Sequence, residues 1–148
     1  GRGPRSEGRA VSLKYLLDTN IVSEPLRPSP SRAVLRRLAS HEGETAIASI
    51  VWHELQFGCG RLPVSRRRDA IERYLEDVVL ASFPILDYDR AAAEWHARER
   101  VRLEAAGKTP PFVDGQIAAI ACVNDLVLVT ANKVDFRGFK GLRVESWI

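Results

Sequence analysis

Short apolar runs with no polar interruption punctuate this chain, and each is followed by a stretch with helical spacing. Lys14–Leu17, Thr45–Ala48 and Leu126–Thr130 are too short for helices. They also lack the alternation of a strand with one wet face, so they read as strands covered on both sides. Between them, Val34, Leu35 and Leu38, and then Ile71, Tyr74, Leu75, Val78 and Val79, recur at the period of an amphipathic helix. Strands that alternate with helices predict an α/β fold with a mainly parallel central sheet.

Local signals refine that pattern. Ser49 is placed to cap the helix that carries Glu54, with Gly58 and Gly60 stopping it. Ile85-Leu86 is a brief strand, Asp89 caps a long helix running to Gly107, and Leu142–Trp147 is a final strand. Asp87 is expected at the surface, and Cys122 as a small buried apolar group inside a helix. The 148 residues suit one domain, expected over 13–148, preceded by a basic disordered tail over 1–12. Within that tail, three Arg against one Glu supply two of the three net positive charges. The near-neutral remainder does not advertise nucleic-acid binding, so such a role must rest on local patches. Two patches stand out: Arg61 with Arg66-Arg67-Arg68, and Lys133, Arg137, Lys140 and Arg143 around Asp135.

Several chemistries are excluded or weakly supported. No apolar run approaches the roughly 20 residues that span a bilayer. Two cysteines make no disulfide framework. His53-Glu54-Leu55-Gln56-Phe57 lacks the second His of a zinc helix, and no Gly-x-Ser-x-Gly elbow is present.

The informative residues are Asp18, Glu54, Asp114 and Asp135, in four separate segments. In a parallel α/β sheet these positions can converge at the carboxyl-terminal edge, where such sheets bind ligands. Glu54 follows Ile50 by four residues and Val51 by three, which predicts a place on or beside the buried helix face. Two carboxylates about 4 Å apart repel by roughly 4 kcal/mol at an effective dielectric near 20. Several together must protonate or recruit a cation. An all-oxygen set selects Mg²⁺ or Mn²⁺ over Zn²⁺, and such ions commonly support phosphodiester hydrolysis.

Leu16-Leu17-Asp18-Thr19-Asn20, Val51-Trp52-His53-Glu54-Leu55, Asp114-Gly115-Gln116-Ile117-Ala118-Ala119 and Thr130-Ala131-Asn132-Lys133-Val134-Asp135-Phe136 appear in the order found in PIN-domain nucleases. The chain resembles the VapC-type toxins of that family, and Ser23–Pro28 resembles the FitB-like branch. The resemblance covers Lys14 to the end and implies a three-layer α/β/α PIN-like fold with Mg²⁺- or Mn²⁺-dependent endoribonuclease activity. Asp18, Glu54, Asp114 and Asp135 match its acidic quartet as catalytic and metal-binding residues. Thr130 and Asn132 match a polar pair beside the last acid, and Asn20 and Ser49 match nearby polar positions. Lys133, Arg137 and Lys140 are candidate RNA phosphate contacts. Two departures are Ala131, where the family often has Arg, and Gly115, where Ala is usual.

The same resemblance implies a cytoplasmic toxin acting on RNA and silenced by a cognate VapB/FitA-like antitoxin, with DNA reached only through that antitoxin and no membrane partner. It also implies a homodimer, for which Trp52, Phe57, Tyr74 and Trp95 are candidate interface aromatics. The alternative is a largely non-catalytic partner of a DNA-binding antitoxin. A dehalogenase-type phosphatase is rejected because Asn20 stands where a second Asp is required.

Overall fold

The computed structural model describes residues 13–148, so the expected tail over 1–12 lies outside the described residues. Five parallel strands form one sheet in the order β3-β2-β1-β4-β5: β1 Tyr15–Leu17, β2 Thr45–Ala48, β3 Ile85–Leu86, β4 Val127–Val129 and β5 Val144–Glu145. Helices cover both faces, giving the three layers that the alternating pattern requires. In chain order they are α1 Thr19–Val22, α2 Arg32–Ser40, α3 Ser49–Gly60, α4 Arg66–Arg73, α5 Leu80–Ser82, α6 Arg90–Ala105, α7 Phe112–Val123 and α8 Lys133–Phe136. Between α4 and α5, Tyr74–Val79 continues the rod as a wider π-helical step. No described helix is long and apolar enough to cross a membrane.

The uninterrupted apolar runs are explained by burial on both faces. Leu16, Leu17, Ile47, Leu128 and Val129 are fully inaccessible, and Val51, Ile117 and Ile120 bury the helices against them. Removing one such side chain from water contributes about 1.5–3 kcal/mol. The order of strands follows the same logic: β2, β1 and β4, which hold the fully buried residues of the sheet, are each flanked on both sides, and the two-residue strands β3 and β5 lie at the edges.

Several local expectations change in the structure. Strand β2 runs directly into α3, so Ala48 occupies the capping position and Ser49 is the first helical residue, with no side-chain cap. Gly58 lies inside α3, which ends at Gly60. Of Leu142–Trp147, only Val144 and Glu145 pair with β4. Beyond them Trp147 turns inward, stacking on His41 with its ring 5.2 Å from that of Tyr15. Cys122 is half-buried rather than fully enclosed. Asp89 does cap α6, accepting from the Ala92 N–H at 3.0 Å, and Asp87 is exposed.

The four helical aromatics divide. Tyr74 donates its hydroxyl to the Val22 carbonyl at 2.7 Å, and Trp95 packs on Phe139. Both therefore have work within the chain, and Trp52 is half-buried against the core. Phe57 stays 60% exposed, with the Arg61 guanidinium 5.3 Å from its ring centre.

Gly115 has a steric cause. A Cβ built there would lie 2.1 Å from Nε2 of His96 and 2.7 Å from its Cδ2. His96 is only 2% exposed, its Nδ1 is 2.8 Å from the Tyr88 hydroxyl, and the Phe112 ring sits 4.7 Å away. The imidazole thus cannot swing aside cheaply, and burial holds its pKa below the usual value, with Arg100 adding to the effect. This contact seats α7, and with it Asp114, against α6. Gly115→Ala should therefore destabilise the protein by about 1–3 kcal/mol in urea unfolding, although Ala is the better helix former by about 1 kcal/mol. The His96→Ala, Gly115→Ala double variant should recover part of the loss. An additive pair would contradict the contact.

Candidate active site

Parallel pairing of β1 with β4 sets Leu17 opposite Val129, so the next residues, Asp18 and Thr130, stand side by side at the carboxyl-terminal edge. The Asp18 amide donates to the Val129 carbonyl at 2.9 Å, continuing the ladder into the site. One Asp18 carboxylate oxygen accepts from the Thr19 amide and the other from the Thr130 hydroxyl, both at 2.8 Å. Thr130 is fully buried, and its oxygen also accepts from the Asn132 amide at 3.1 Å. That bond commits the hydroxyl proton to Asp18. Asn20 works in parallel, its side-chain oxygen accepting from the Ala131 amide at 3.2 Å and tying the loop after β4 to α1.

Glu54 departs from expectation. The face of α3 that buries itself carries Val51, Leu55 and Cys59, and Glu54 is turned to the exposed flank. Desolvation is therefore not what marks it. It accepts from the Thr19 hydroxyl at 2.7 Å across 35 residues of sequence. Thr19 was not singled out in the sequence, although it directly follows Asp18. It supplies its amide to one acid and its hydroxyl to the other, linking β1 to α3 at the site.

Asp114 lies in the first turn of α7 and is partly buried. Burial raises its pKa to about 6, and the charges of Asp18, Asp135 and Glu54 push in the same direction. Burial also raises the Asp18 pKa, against the lowering effect of Thr130 and Thr19, with Glu54 and Asp135 adding to the rise. Asp135 is exposed on α8. Asp18 thus feels Glu54 and Asp135, and Asp114 feels the other three, so acids from four segments bring like charge to bear on one place.

The acids are an open set. Among the described residues, no three His, Cys, Asp or Glu side chains form a ready-made ligand cage. The donor chemistry nevertheless fits a hard cation: oxygen atoms only, raised carboxyl pKa values that a positive charge would reverse, and an exposed side where water can complete the shell. Ser49 is half-buried, and among the described residues its side chain makes no hydrogen bond, so it is beside the site without organising it. Asn132 contributes its amide rather than a side-chain cap.

The basic residues also divide. Lys133, Arg137 and Lys140 are exposed, and none has an ion-pair partner among the described residues. Arg143 is spent on Asp125 at 2.9 Å, and Arg68 on Glu72 at 3.1 Å. The cations left near Asp135 are those on α8 and the turn after it.

Because the Asp114 pKa rises from 3.8 unfolded to about 6 folded, the folded state holds that proton more tightly. Its contribution to stability is complete below 3.8, falls as pH rises through about 6, and changes no further above that. Asp114→Asn removes the ionisation. Without metal at about pH 7.5 it should stabilise the protein by about 1–2 kcal/mol, less than the roughly 3 kcal/mol of an unscreened two-unit shift. At about pH 4 the gain should vanish in urea unfolding with EDTA. An equal gain at both pH values would contradict the shift.

Comparisons with known proteins agree with this geometry. A family model described as the PIN domain matches residues 15–141. The chain is 33% identical over 135 residues to the tRNA(fMet)-specific endonuclease VapC of Shigella flexneri, spanning 91% of this chain and 98% of that protein. It is 34% identical to Toxin FitB of Neisseria gonorrhoeae over 82% of this chain and 89% of that one. The DNA-bound VapBC structure from Salmonella typhimurium superposes with a TM-score of 0.79 at 28% identity, covering 92% of this chain and 99% of that chain.

Proposed function

The chain belongs to the PIN-domain family, and we propose that it is a Mg²⁺- or Mn²⁺-dependent endoribonuclease toxin held in check by a cognate antitoxin. The observation that carries the proposal is that the charges of Glu54 and Asp135 raise the pKa of both Asp18 and Asp114, so acids from four segments act on one place. The endonuclease and toxin names of the two relatives support it. Asp18 and Asp114 would hold the cation, with Glu54 and Asp135 completing the acidic set. When bound, the ion would supply positive charge that offsets the acids and polarises a phosphodiester toward attack by water.

The chain's own residues do the positioning. Thr130 and Thr19 fix both oxygens of Asp18, so its rotamer is set before ligand arrives. Thr19 also orients Glu54, and Asn20 keeps the loop leading to Asp135 close to α1. Lys133 and Arg137, exposed near Asp135, offer charge to RNA phosphates. Lys140, also exposed, adds a third charge, and its backbone amide fixes the turn by donating to Glu99.

An antitoxin partner is in keeping with the VapBC complex of Salmonella, which was solved on DNA. DNA contact in the present protein would then be indirect, and cleavage would occur in the cytoplasm, where the RNA is. A homodimer would cover exposed apolar groups such as Phe57, Val101 and Phe112, which are 60%, 70% and 49% accessible.

Loss of a group that only orients a metal ligand costs about 10- to 100-fold, so Asp114→Asn and Asp18→Asn should each cost at least about 100-fold in RNA cleavage. Both should remain folded. Full cleavage by Asp114→Asn at matched metal and salt, or by EDTA-treated wild type, would sink the assignment. Mn²⁺ at about a hundred times its dissociation constant should stabilise wild type by about 2.7 kcal/mol. In sedimentation at micromolar concentration the chain should run as a dimer, and a strict monomer would remove that element.

A further inference from the structure

A cavity of about 540 Å³ opens beside Asp135, between the end of α6 and the segment that carries α8. Leu103, Pro110, Val134 and Phe139 give it apolar walls, and Lys108 and Arg137 stand on it as cations with no ion-pair partner among the described residues. Its volume is in the range of pockets that hold small organic ligands, about 300–1,000 Å³. No local pattern announces it, because its two walls, 103–110 and 134–139, come from separate segments of the chain.

The walls are held in place from behind. Glu99 is 9% exposed and accepts from Nε of Arg102 at 3.1 Å and from the Lys140 amide at 2.8 Å. Arg102 donates in turn to the Gly138 carbonyl at 2.9 Å. An ion pair between buried Glu99 and exposed Arg102 therefore spends its hydrogen bonds fastening the 138–140 turn to α6. On the opposite wall, Gly107 takes a positive φ of 76° and the Lys108 amide closes on the Leu103 carbonyl at 2.8 Å. The cavity is thus preformed, and it shares Asp135 with the acidic set.

We propose that this cavity is a nucleotide subsite, taking the nucleotide next to the phosphodiester held at the acids. The base would pack against Leu103, Pro110 and Phe139, and Lys108 and Arg137 would meet the phosphate. The proposal rests on the nuclease reading. A polynucleotide is favoured over a peptide because the cavity combines a flat apolar pocket, two free cations and direct continuity with a phosphodiester site. Mainly apolar walls, with Thr109 as the single neutral polar side chain of the lining, predict weak discrimination of base identity.

The test is a titration of the ¹⁵N-labelled full chain in EDTA with uridine or adenosine 5′-monophosphate, and separately with inorganic phosphate. Both nucleotides should shift the amides of Lys108, Thr109 and residues 134–139, and phosphate should not reproduce the pattern. No nucleotide shifts there, or the same shifts from phosphate alone, would overturn the proposal, the second result leaving only an anion site. Binding of a non-cleavable 2′-O-methyl oligonucleotide gives a second readout. Val134→Trp, at a position 68% exposed and so compatible with folding, should weaken it about tenfold by filling the cavity. Lys108→Ala should reduce the slope of log affinity against log salt by about 0.7, one phosphate contact on a single strand. Wild-type affinity in the first variant, or an unchanged slope in the second, would count against the subsite. Neither experiment reads cleavage. A wild type that cleaves no RNA with Mg²⁺ or Mn²⁺ therefore fails the nuclease reading, a result distinct from failure of the subsite.

Discussion

The pairing of β1 with β4 is the constraint on which the site depends. Parallel register places Leu17 against Val129, and the ladder then delivers Asp18 and Thr130 to the same edge with 112 residues of chain between them. The hydrogen bond between their side chains is buried, where an unmade bond would cost about 1–3 kcal/mol. A register slip of one residue would turn Asp18 and Leu17 to the opposite faces of the sheet, breaking both the packing and the Asp18–Thr130 bond. Core packing and site assembly are therefore enforced together. The same residues that exclude water beneath the sheet decide where the first acid points.

Around that pair the structure accumulates like charge. Asp18 and Asp114 both carry raised pKa values, with burial the larger cause and the neighbouring acids adding to it. Such a site is under electrostatic stress when empty of positive charge, and the stress is tolerated because it is distributed. Two acids are enclosed enough to be desolvated, and two are exposed enough for water to screen them. The Thr130 hydroxyl and the Thr19 amide stabilise ionised Asp18 and oppose the stress directly. Asp18 is held on both carboxylate oxygens, by the Thr19 amide and the Thr130 hydroxyl, and Glu54 and Asp135 lie open to water.

Helix packing adds a second layer of control. Asp114 reaches the site only because α7 lies close on α6, and that approach is tight enough that residue 115 has no room for a side chain. His96 fills the space that a methyl group would take. At the far end of α6, Glu99 and Arg102 fasten the turn after α8, and so the helix bearing Asp135. One long helix thus steadies two of the four acids, although it contributes none itself.

The alternation of apolar runs and helical periods determined the parallel α/β sheet, because burial on two faces leaves a direct mark on composition. The positions of Asp18, Asp114 and Asp135 followed from the same pattern, each at a strand or helix boundary that topology carries to one edge. Glu54 was found by its place in a motif, but its exposure was not legible: a residue three after Val51 lies close to the boundary of the buried face, and packing alone decides on which side it falls. Ser49 looked like a cap because Ser favours that position, and the direct passage from β2 into α3 gave the position to Ala48. Thr19 bonded to Glu54, His96 seated on Gly115 and the cavity beside Asp135 belong to the tertiary structure alone. Each joins segments far apart in the chain, and periodicity reports what a residue's own segment buries, not what another segment brings against it.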